Sequence, residues 1–281
     1  MIGEGGKLAS KSGTPNRKPL AKRFRKARRR TVKRWGRKFI DGVAGFVARQ
    51  GLVKDQPIHD PGDYAFLQPI EANWTTIRAE LGELLKDRER LPAFHQISPD
   101  QKSISKLDRW KVFILFGFGV PSQRNCARCP ETAKLLRAVP NLQSAWFSII
   151  APHYHIPRHR GVSKTALRSH LGLIVPEARE RCRMQVGDQT VSWEPGKCIV
   201  FDDFFPHEVW NDTEEERIVL IFDFTRPMRL PGRMINGLLT WGIKRTAYFK
   251  DAERNLKNWD ERLESAVTTA NEIMDKMSTP A

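Results

Sequence analysis

In its second half the chain reads Cys182-Arg-Met-Gln-Val-Gly-Asp-Gln-Thr-Val-Ser-Trp-Glu-Pro-Gly-Lys-Cys-Ile-Val-Phe-Asp202. Apolar and polar side chains alternate in three short runs, which is the period of a β-strand. Val-Gly-Asp-Gln at 186–189 is a hairpin signal, and Glu-Pro-Gly-Lys at 194–197 supplies Pro and Gly for a second turn. The stretch therefore predicts three short antiparallel strands, at 182–186, 189–193 and 198–202.

The same period of two extends outward, from Ser144 to Phe224. Many short antiparallel strands separated by turn residues are typical of a barrel or a double-sheet jelly roll, so the predicted fold is mainly β. Helices are expected around it. The further predicted strands are 110–119, 145–151, 166–175 and 217–224, and the predicted helices lie between 60 and 91, at 130–138 and after Pro227, through Met274.

Length and composition indicate one principal domain, because 281 residues, 40% of them hydrophobic, can bury one sizeable core. The predicted organisation is a basic segment with an amphipathic helix at 1–55, the β-rich domain with its N-terminal helix at 56–228, and a helical extension at 229–281. The sequence contains no apolar run long enough to span a membrane and no secretory signal pattern. Four cysteines in such a chain predict reduced thiols and a cytoplasmic protein.

The positive charge is concentrated at one end of the chain. Up to Lys38 there are 15 Lys and Arg residues against one acid, so this segment carries +14 of the formal +16. Apolar residues recur within it at spacings of three and four, which predicts an amphipathic basic helix over 17–46. Such a helix fits an anionic membrane surface. Nucleic acid and plain solvation are the alternatives, and the aromatic residues of the stripe favour lipid over nucleic acid.

Histidines are concentrated in the strand-rich region, where five of the seven occur: His153, His155, His159, His170 and His207. Such a concentration suggests a metal site, but imidazole suits iron, copper, nickel and zinc alike. An iron site of two histidines and a carboxylate expects Asp or Glu two residues after the first histidine. The chain has Gly161 there, so spacing alone does not identify the metal.

Arg217 opens the apolar run Ile218-Val219-Leu220-Ile221-Phe222, which places its guanidinium at the interior of the predicted barrel. A buried guanidinium requires an anion, and its planar fork matches a carboxylate. A dicarboxylate cofactor is one candidate. An ordinary position at a strand end, in contact with water or a neighbouring glutamate, is the other.

Several motifs in order resemble the aspartyl/asparaginyl β-hydroxylase family, which includes bacterial hydroxylases of lipid A and of ornithine-lipid acyl chains. The resemblance covers about Trp110 to Arg226. Its motifs are Pro157-Arg158-His159-Arg160-Gly161, Leu167-Arg168-Ser169-His170-Leu171-Gly172-Leu173, Trp193-Glu194-Pro195-Gly196-Lys197, Phe201-Asp202-Asp203, His207-Glu208-Val209-Trp210-Asn211 and Arg217.

This resemblance implies a double-stranded β-helix, a cupin-like jelly roll with flanking α-helices, and an iron(II)- and 2-oxoglutarate-dependent dioxygenase. His159 and His207 match the two iron ligands, and glycine at the third position is a habit of the family. Arg217 matches the anchor of the distal carboxylate of 2-oxoglutarate. Ser148, Arg168, His170 and, less specifically, Trp110 match positions that complete the cosubstrate pocket. Ascorbate is a candidate supporting reductant, and Asp202-Asp203 would orient neighbouring groups or favour solubility.

The substrate implied by the resemblance is either a peptidyl Asp or Asn side chain or the acyl chain of a membrane lipid. The amphipathic 17–46 segment and the apolar stretch at 235–243 favour a site near a membrane, so the protein is expected at the inner face of one. Two other classes remain open: a cupin-like protein that binds a metal or ligand without turnover, and a nucleic-acid binder that uses the basic segment. The oligomeric state is left open.

Overall fold

The computed structural model describes residues 41–97, 104–105, 107–117, 119–161 and 163–244. Residues 41–50 are helical and are labelled α1. The predicted basic helix over 17–46 otherwise lies outside the described residues, as does the predicted helical run from 245 to Met274. All elements from Ala44 onward belong to one compact unit, Ala44–Ala281, and the predicted boundaries at 55 and 228 remain predictions.

The described residues form eleven strands in two antiparallel sheets. The larger sheet has the order β1-β9-β6-β11-β4-β2-β3, and the smaller sheet has the order β5-β10-β7-β8. The strands are β1 (Ile58–His59), β2 (Trp110–Gly117), β3 (Val120–Pro121), β4 (Leu142–Ile150), β5 (Tyr154–His159), β6 (Ala166–Ile174), β7 (Cys182–Val186), β8 (Gln189–Ser192), β9 (Cys198–Phe201), β10 (His207–Asn211) and β11 (Arg217–Thr225).

The two faces of the larger sheet are buried against different partners. Along β11, Val219 and Ile221 pack with Met184 and Val209 of the smaller sheet, so one face looks into the space between the sheets. The alternate residues pack against helices in a second core. Because both faces are covered, β11 is apolar almost throughout. This architecture is the double-stranded β-helix with flanking helices that the sequence predicts.

Helices cover the outer face of the larger sheet and its edges. The helices after α1 are α2 (Leu67–Ala72), α3 (Trp74–Leu85), α4 (Phe94–Ile97), α5 (Gln123–Arg128), α6 (Pro130–Arg137) and α7 (Leu230–Lys244). The single helix expected between 60 and 91 is divided, because Asn73 leaves helical geometry and its side chain bonds the carbonyl of Pro69. In the described part, no helix is both long and apolar enough to cross a bilayer.

The structure confirms the strands predicted around 110–119, 145–151, 166–175, 182–202 and 217–224 to within a few residues. It also contains β5 and β10 and the two-residue strands β1 and β3, none of which was predicted from the sequence. In β5 the burial alternates from Tyr154 to Ile156, and an irregularity in its pairing with β10 then interrupts the period. The irregularity lies between Ile156 and His159.

Candidate active site

His159 and His207 are brought together by strand pairing. They are directly opposite each other on β5 and β10, and their ring centroids are 4.2 Å apart. Between this pair and the next, Ile156 with Val209, β5 has two residues where β10 has one. Such a bulge turns a side chain to the other face of a strand. The bulge therefore sets His159 beside the buried His207, although His159 is out of phase with Ile156.

Both histidines are held by the same local device. His159 Nδ1 lies 2.8 Å from the carbonyl of Pro157, and His207 Nδ1 lies 2.9 Å from the carbonyl of Phe205. A carbonyl only accepts, so each Nδ1 carries the proton and each Nε2 presents a lone pair. Burial lowers the pKa of both rings, that of His207 to about 3 with a further contribution from His159. Two neutral imidazoles with fixed tautomers are suitable metal ligands.

The space beside Gly161, where a third ligand of the triad would lie, is bordered by a carboxylate from elsewhere in the chain. A Cβ at Gly161 would lie 2.3 Å from Oδ1 of Asp203, so the Asp203 carboxylate occupies the space that a side chain at 161 would need. Burial raises the pKa of Asp203 to about 6, against the opposing effect of Arg168. Across the described residues, no set of three or more His, Cys, Asp or Glu side chains is arranged around a metal position. The protein thus offers two ligands, with a carboxylate nearby.

Arg168 connects this carboxylate to the larger sheet. Its guanidinium makes bonds of 2.7 and 3.0 Å to the two oxygens of Asp223, and Nη2 lies 3.3 Å from Asp203. Burial alone would lower the pKa of Arg168, but Asp223 and Asp203 outweigh it and raise the pKa. The predicted role of Arg168 in the cosubstrate pocket stays a prediction. The contacts show a cation between two carboxylates.

Arg217 and His170 meet over Trp193, further along the inner face of the larger sheet. The Arg217 guanidinium lies 4.5 Å above the Trp193 ring, and Trp193 donates from Nε1 to Nδ1 of His170 at 3.3 Å. Because Nδ1 of His170 accepts, its Nε2 carries the proton. Within the part of the chain that the structure describes, this Nε2 and the Nε and Nη1 of Arg217 are buried without a hydrogen-bond partner. Three buried donors therefore converge on one region without an acceptor.

Burial lowers the pKa of Arg217 to about 10, and it also holds the pKa of His170 well below 6.5, with Arg217 as the next cause. His170 is therefore neutral at neutral pH, and Arg217 is still a cation there. An uncompensated buried cation lowers the free energy of unfolding by about several kcal/mol. The region therefore presents a buried cation and unsatisfied donors, a set that an anion would complement.

Ser148 and Trp110 lie on the same inner face, on neighbouring strands. Trp110 donates from its indole nitrogen to the Ser148 hydroxyl at 3.0 Å, and its ring stacks on Phe94 at 4.1 Å. Ser148 is opposite Val219 on β11, two residues from Arg217. Trp110 therefore contacts this region through Ser148, which accepts this hydrogen bond and can still donate its own hydroxyl proton.

The residues predicted from the sequence thus lie on the facing sides of the two sheets. His153 and His155 do not join them, because both are exposed and pair with Glu214 and Glu208. Trp193 was not predicted to be a site residue, although it begins the motif Trp193-Glu194-Pro195-Gly196-Lys197. It also missed Asp223. The signal for Asp223 was a carboxylate inside the apolar strand β11, which requires a buried cation as partner.

The donor sets fit a divalent metal with a dicarboxylate beside it. Two neutral imidazoles suit iron among other metals, and the unsatisfied donors of Arg217 and His170 suit a carboxylate. Fold and site together define a jelly-roll protein with a two-histidine centre. Residues 71–227 match the family model described as aspartyl/asparaginyl beta-hydroxylase. The chain belongs to this family of hydroxylases.

Curated relatives carry two kinds of name. The chain is 40% identical over 206 residues to the ornithine lipid ester-linked acyl 2-hydroxylase of Rhizobium tropici, covering 73% of each chain. It is 30% identical over 187 residues to human aspartyl/asparaginyl beta-hydroxylase, covering 64% of this chain and 24% of the human protein. A solved cupin domain of Schizosaccharomyces pombe Cnp3 aligns at 12% identity and a TM-score of 0.31, over 46% of this chain and 72% of that chain.

Proposed function

We propose that this hydroxylase depends on iron(II) and 2-oxoglutarate. The observation that carries the proposal is the group of buried donors without an acceptor: Nε and Nη1 of Arg217 and Nε2 of His170, beside Trp193. A dicarboxylate that reaches from the histidine pair to Arg217 would satisfy them. A site that only bound a metal would have no need for them.

His159 and His207 would hold the iron through their Nε2 atoms. When bound, the metal supplies the oxidation chemistry that lets dioxygen attack an unactivated C–H bond. In the overall reaction, one oxygen atom enters the C–H bond as hydroxyl. The other enters 2-oxoglutarate, which loses carbon dioxide and leaves as succinate. No general base is required, in agreement with a site that contains histidines and arginines but no activated nucleophile.

The chain's own residues provide orientation and charge. Arg217 would pair with the distal carboxylate of 2-oxoglutarate, and Trp193, which is fully buried, excludes water behind this ion pair. His170 would donate from Nε2, and the Ser148 hydroxyl is a further donor on this face. Arg168 holds the Asp203 carboxylate beside Gly161, next to the histidine pair. Asp203 would there accept from a water that completes the coordination.

For the substrate, we propose the acyl chain of a membrane lipid. The relative named an ornithine lipid acyl 2-hydroxylase is 40% identical over 206 residues, whereas the human aspartyl/asparaginyl beta-hydroxylase is 30% identical over 187. The basic segment before Lys38 is also suited to an anionic membrane surface. This proposal places the protein at the inner face of a membrane.

The test is succinate formation from 2-oxoglutarate with iron(II), ascorbate and a lipid extract, together with mass spectrometry for one added oxygen atom. We expect turnover that a chelator abolishes and iron(II) restores. Two imidazoles should hold the metal weakly, so brief chelation should suffice. Oxygen added to Asp or Asn of peptides instead of lipids would contradict the substrate. An absence of succinate with every substrate would indicate a non-catalytic binder.

A further inference from the structure

Exposed apolar side chains are concentrated at one corner of the molecule. Among the described residues, seven large hydrophobic side chains are exposed, and five of them lie on α7 or beside its start. Scattered exposed hydrophobics are normal, but a contiguous group marks an interaction surface. The five are Leu52, Leu230, Met234, Leu238 and Trp241, with exposed fractions between 57% and 68%.

The α7 members form one row, because positions four, four and three apart return to the same side of a helix. The opposite side is the packed one. A Cβ at Gly232 would lie 2.8 Å from Cβ of Gln50 and 3.1 Å from Cβ of Met228, so the helix backbone lies close against the rest of the domain there. A surface helix normally turns its apolar face inward. In α7 an apolar row instead faces solvent, and we call this row the α7 face.

Two backbone hydrogen bonds anchor the residues that lead into α7. The amide of Leu52 donates to the carbonyl of Pro227 at 2.9 Å, and the amide of Arg229 donates to the carbonyl of Gln50 at 2.9 Å. The α7 face is therefore presented by an anchored helix and does not depend on a loop. A group of exposed apolar side chains on an anchored helix is typical of an interaction surface.

Cations border the α7 face. Arg49, Arg229 and Arg233 are exposed, and none of them forms an ion pair with another described residue. An apolar row with arginines along its border matches a membrane interface, where apolar side chains enter the acyl boundary and arginines meet phosphate. Trp241, at the far end of the row, is a residue type enriched at that level of a bilayer.

The start of α7 is linked to the loop that follows His159. Arg226, one residue before Pro227, donates from Nε to the carbonyl of Lys164 at 3.0 Å and forms a buried ion pair with Asp202. Lys164 reaches the same Asp202 at 3.1 Å. Asp202 precedes Asp203, whose carboxylate lies against Gly161. Through these contacts the start of α7 is joined to both loops that lead to the histidine pair.

We infer that the α7 face docks on an anionic lipid surface. This deepens the proposed function, since it would bring the site to an acyl chain, but its test does not depend on turnover. A second copy of the chain is the weaker fit. In a two-fold pairing with the two α7 helices parallel, Arg229 and Arg233 would lie close to the same residues of the other copy, and like charges repel.

The experiment places an environment-sensitive fluorophore on the α7 face of the full chain. All four native cysteines are buried, so Leu238→Cys provides a selectively reactive thiol. Thr240→Cys, exposed on another side of the same helix, is the matched control. We expect vesicles of phosphatidylcholine with phosphatidylglycerol to shift the emission of the label at 238 to shorter wavelength. The label at 240 should shift little, and vesicles of phosphatidylcholine alone should shift neither.

Co-sedimentation with the same vesicles gives the second readout. The triple variant Leu230→Gln/Met234→Gln/Leu238→Gln should bind about tenfold or more weakly than wild type. The control Leu107→Gln/Val120→Thr alters two exposed apolar residues outside α7 and should bind as wild type. Melting temperatures of all variants check folding.

Unchanged vesicle binding of the triple variant, or equal shifts at 238 and 240, would overturn the inference. So would a wild-type dimer that the triple variant converts to monomer without loss of vesicle binding. Succinate formation without vesicles should be the same in wild type and the triple variant. If neither wild type nor the triple variant formed succinate, the result would count against the proposed reaction and not against the docking surface.

Discussion

Arg217 carries a stability cost in the absence of a bound anion. Its guanidinium is 1% exposed, stacks on Trp193 and leaves two nitrogens without an acceptor among the described residues. Removing a buried charge that lacks a partner commonly stabilises a fold. Residues retained against stability are commonly those that function requires. A cosubstrate anchor should therefore lower stability without its ligand, whereas a purely structural arginine should raise it.

Arg217→Met should therefore have two opposite effects. Without ligand, the free energy of unfolding should rise by about 1–3 kcal/mol, because an apolar side chain of similar length replaces a buried charge. The affinity for 2-oxoglutarate should fall by about 2–4 kcal/mol, which is roughly 30-fold to 1000-fold in Kd. Thermal unfolding with and without 2-oxoglutarate measures both. A variant less stable than wild type that keeps its ligand-induced shift would mark Arg217 as structural.

Gly161 gives a second prediction at this scale, because a Cβ there would overlap the Asp203 carboxylate at 2.3 Å. Gly161→Ala should push this carboxylate away from Arg168, cost about 1–3 kcal/mol by overpacking, and lower turnover. Gly82→Ala is the matched control. Gly82 lies inside α3 with nothing within 4 Å of its missing Cβ, so Gly82→Ala should raise the free energy of unfolding by about 0.5–1 kcal/mol. Chemical denaturation and succinate assays compare the two. Full activity of Gly161→Ala would contradict the role given to Asp203.

The individual site residues could be predicted from the sequence, but most of the residues that contact them could not. Arg217 was predicted to be buried and to need an anion, and the structure confirms the burial. His159 and His207 came from the family resemblance, and spacing alone left the metal open. The neighbours Trp193, Asp203 and Asp223 depend on which faces of distant strands meet. That information lies in the register of β6, β9 and β11, which residue patterns do not specify.

At the scale of elements, the strands that carry His159 and His207 were missed, as were the two-residue strands β1 and β3. β10 has the alternating burial of a half-buried strand, so a period of two in His207-Glu-Val-Trp-Asn211 was available as a signal. β5 offered none, since its bulge breaks the period and Pro157 is unfavourable in a regular ladder. The strands from β4 to β11 other than β5 and β10 were found through a period of two and the turn residues between them, and β2 was found through its continuous apolar run.

The outer helices are joined by a contact that no periodicity predicts. Glu80 of α3 accepts from the amides of Glu131 and Thr132 at 2.8 and 2.9 Å, and from the Thr132 hydroxyl at 2.5 Å. A carboxylate at the first turn of α6 satisfies free amides and complements the helix dipole. The contact fixes α6 against α3, and both helices contribute to the outer core.

Glu80→Ala should accordingly cost about 1–3 kcal/mol of stability, because it leaves the α6 amides without this acceptor. Glu83→Ala, three residues further along α3, is the control. Its side chain is 70% exposed and pairs with Lys86 alone among the described residues, so its loss should be within about 0.5 kcal/mol. Urea unfolding curves of the two variants give the difference. Equal midpoints would show that the Glu80 contact contributes nothing. The 2-oxoglutarate affinity should not change in either variant.

At the scale of the whole molecule, charge and apolar surface are separated along the chain. The segment up to Lys38 carries +14, and the other 243 residues carry +2. The α7 face, by contrast, offers apolar side chains with a few arginines. The two surfaces should contribute to membrane binding through different forces. Salt screens the first, with a Debye length of about 10 Å at 0.1 M and about 3 Å at 1 M, and hardly affects the second.

Deleting residues 1–38 tests this separation. The full chain should bind anionic vesicles strongly at low salt, and its binding should fall steeply as salt rises, since each basic residue near such a surface contributes about 1 kcal/mol. The shortened chain should bind more weakly and with little salt dependence, because its formal charge is near zero and the α7 face remains. Vesicle co-sedimentation between low and high salt measures both slopes, with double-stranded DNA as the competing partner. Retention of the full chain by DNA, with no binding to vesicles at any salt concentration, would identify nucleic acid as the partner of the basic segment and contradict the lipid assignment.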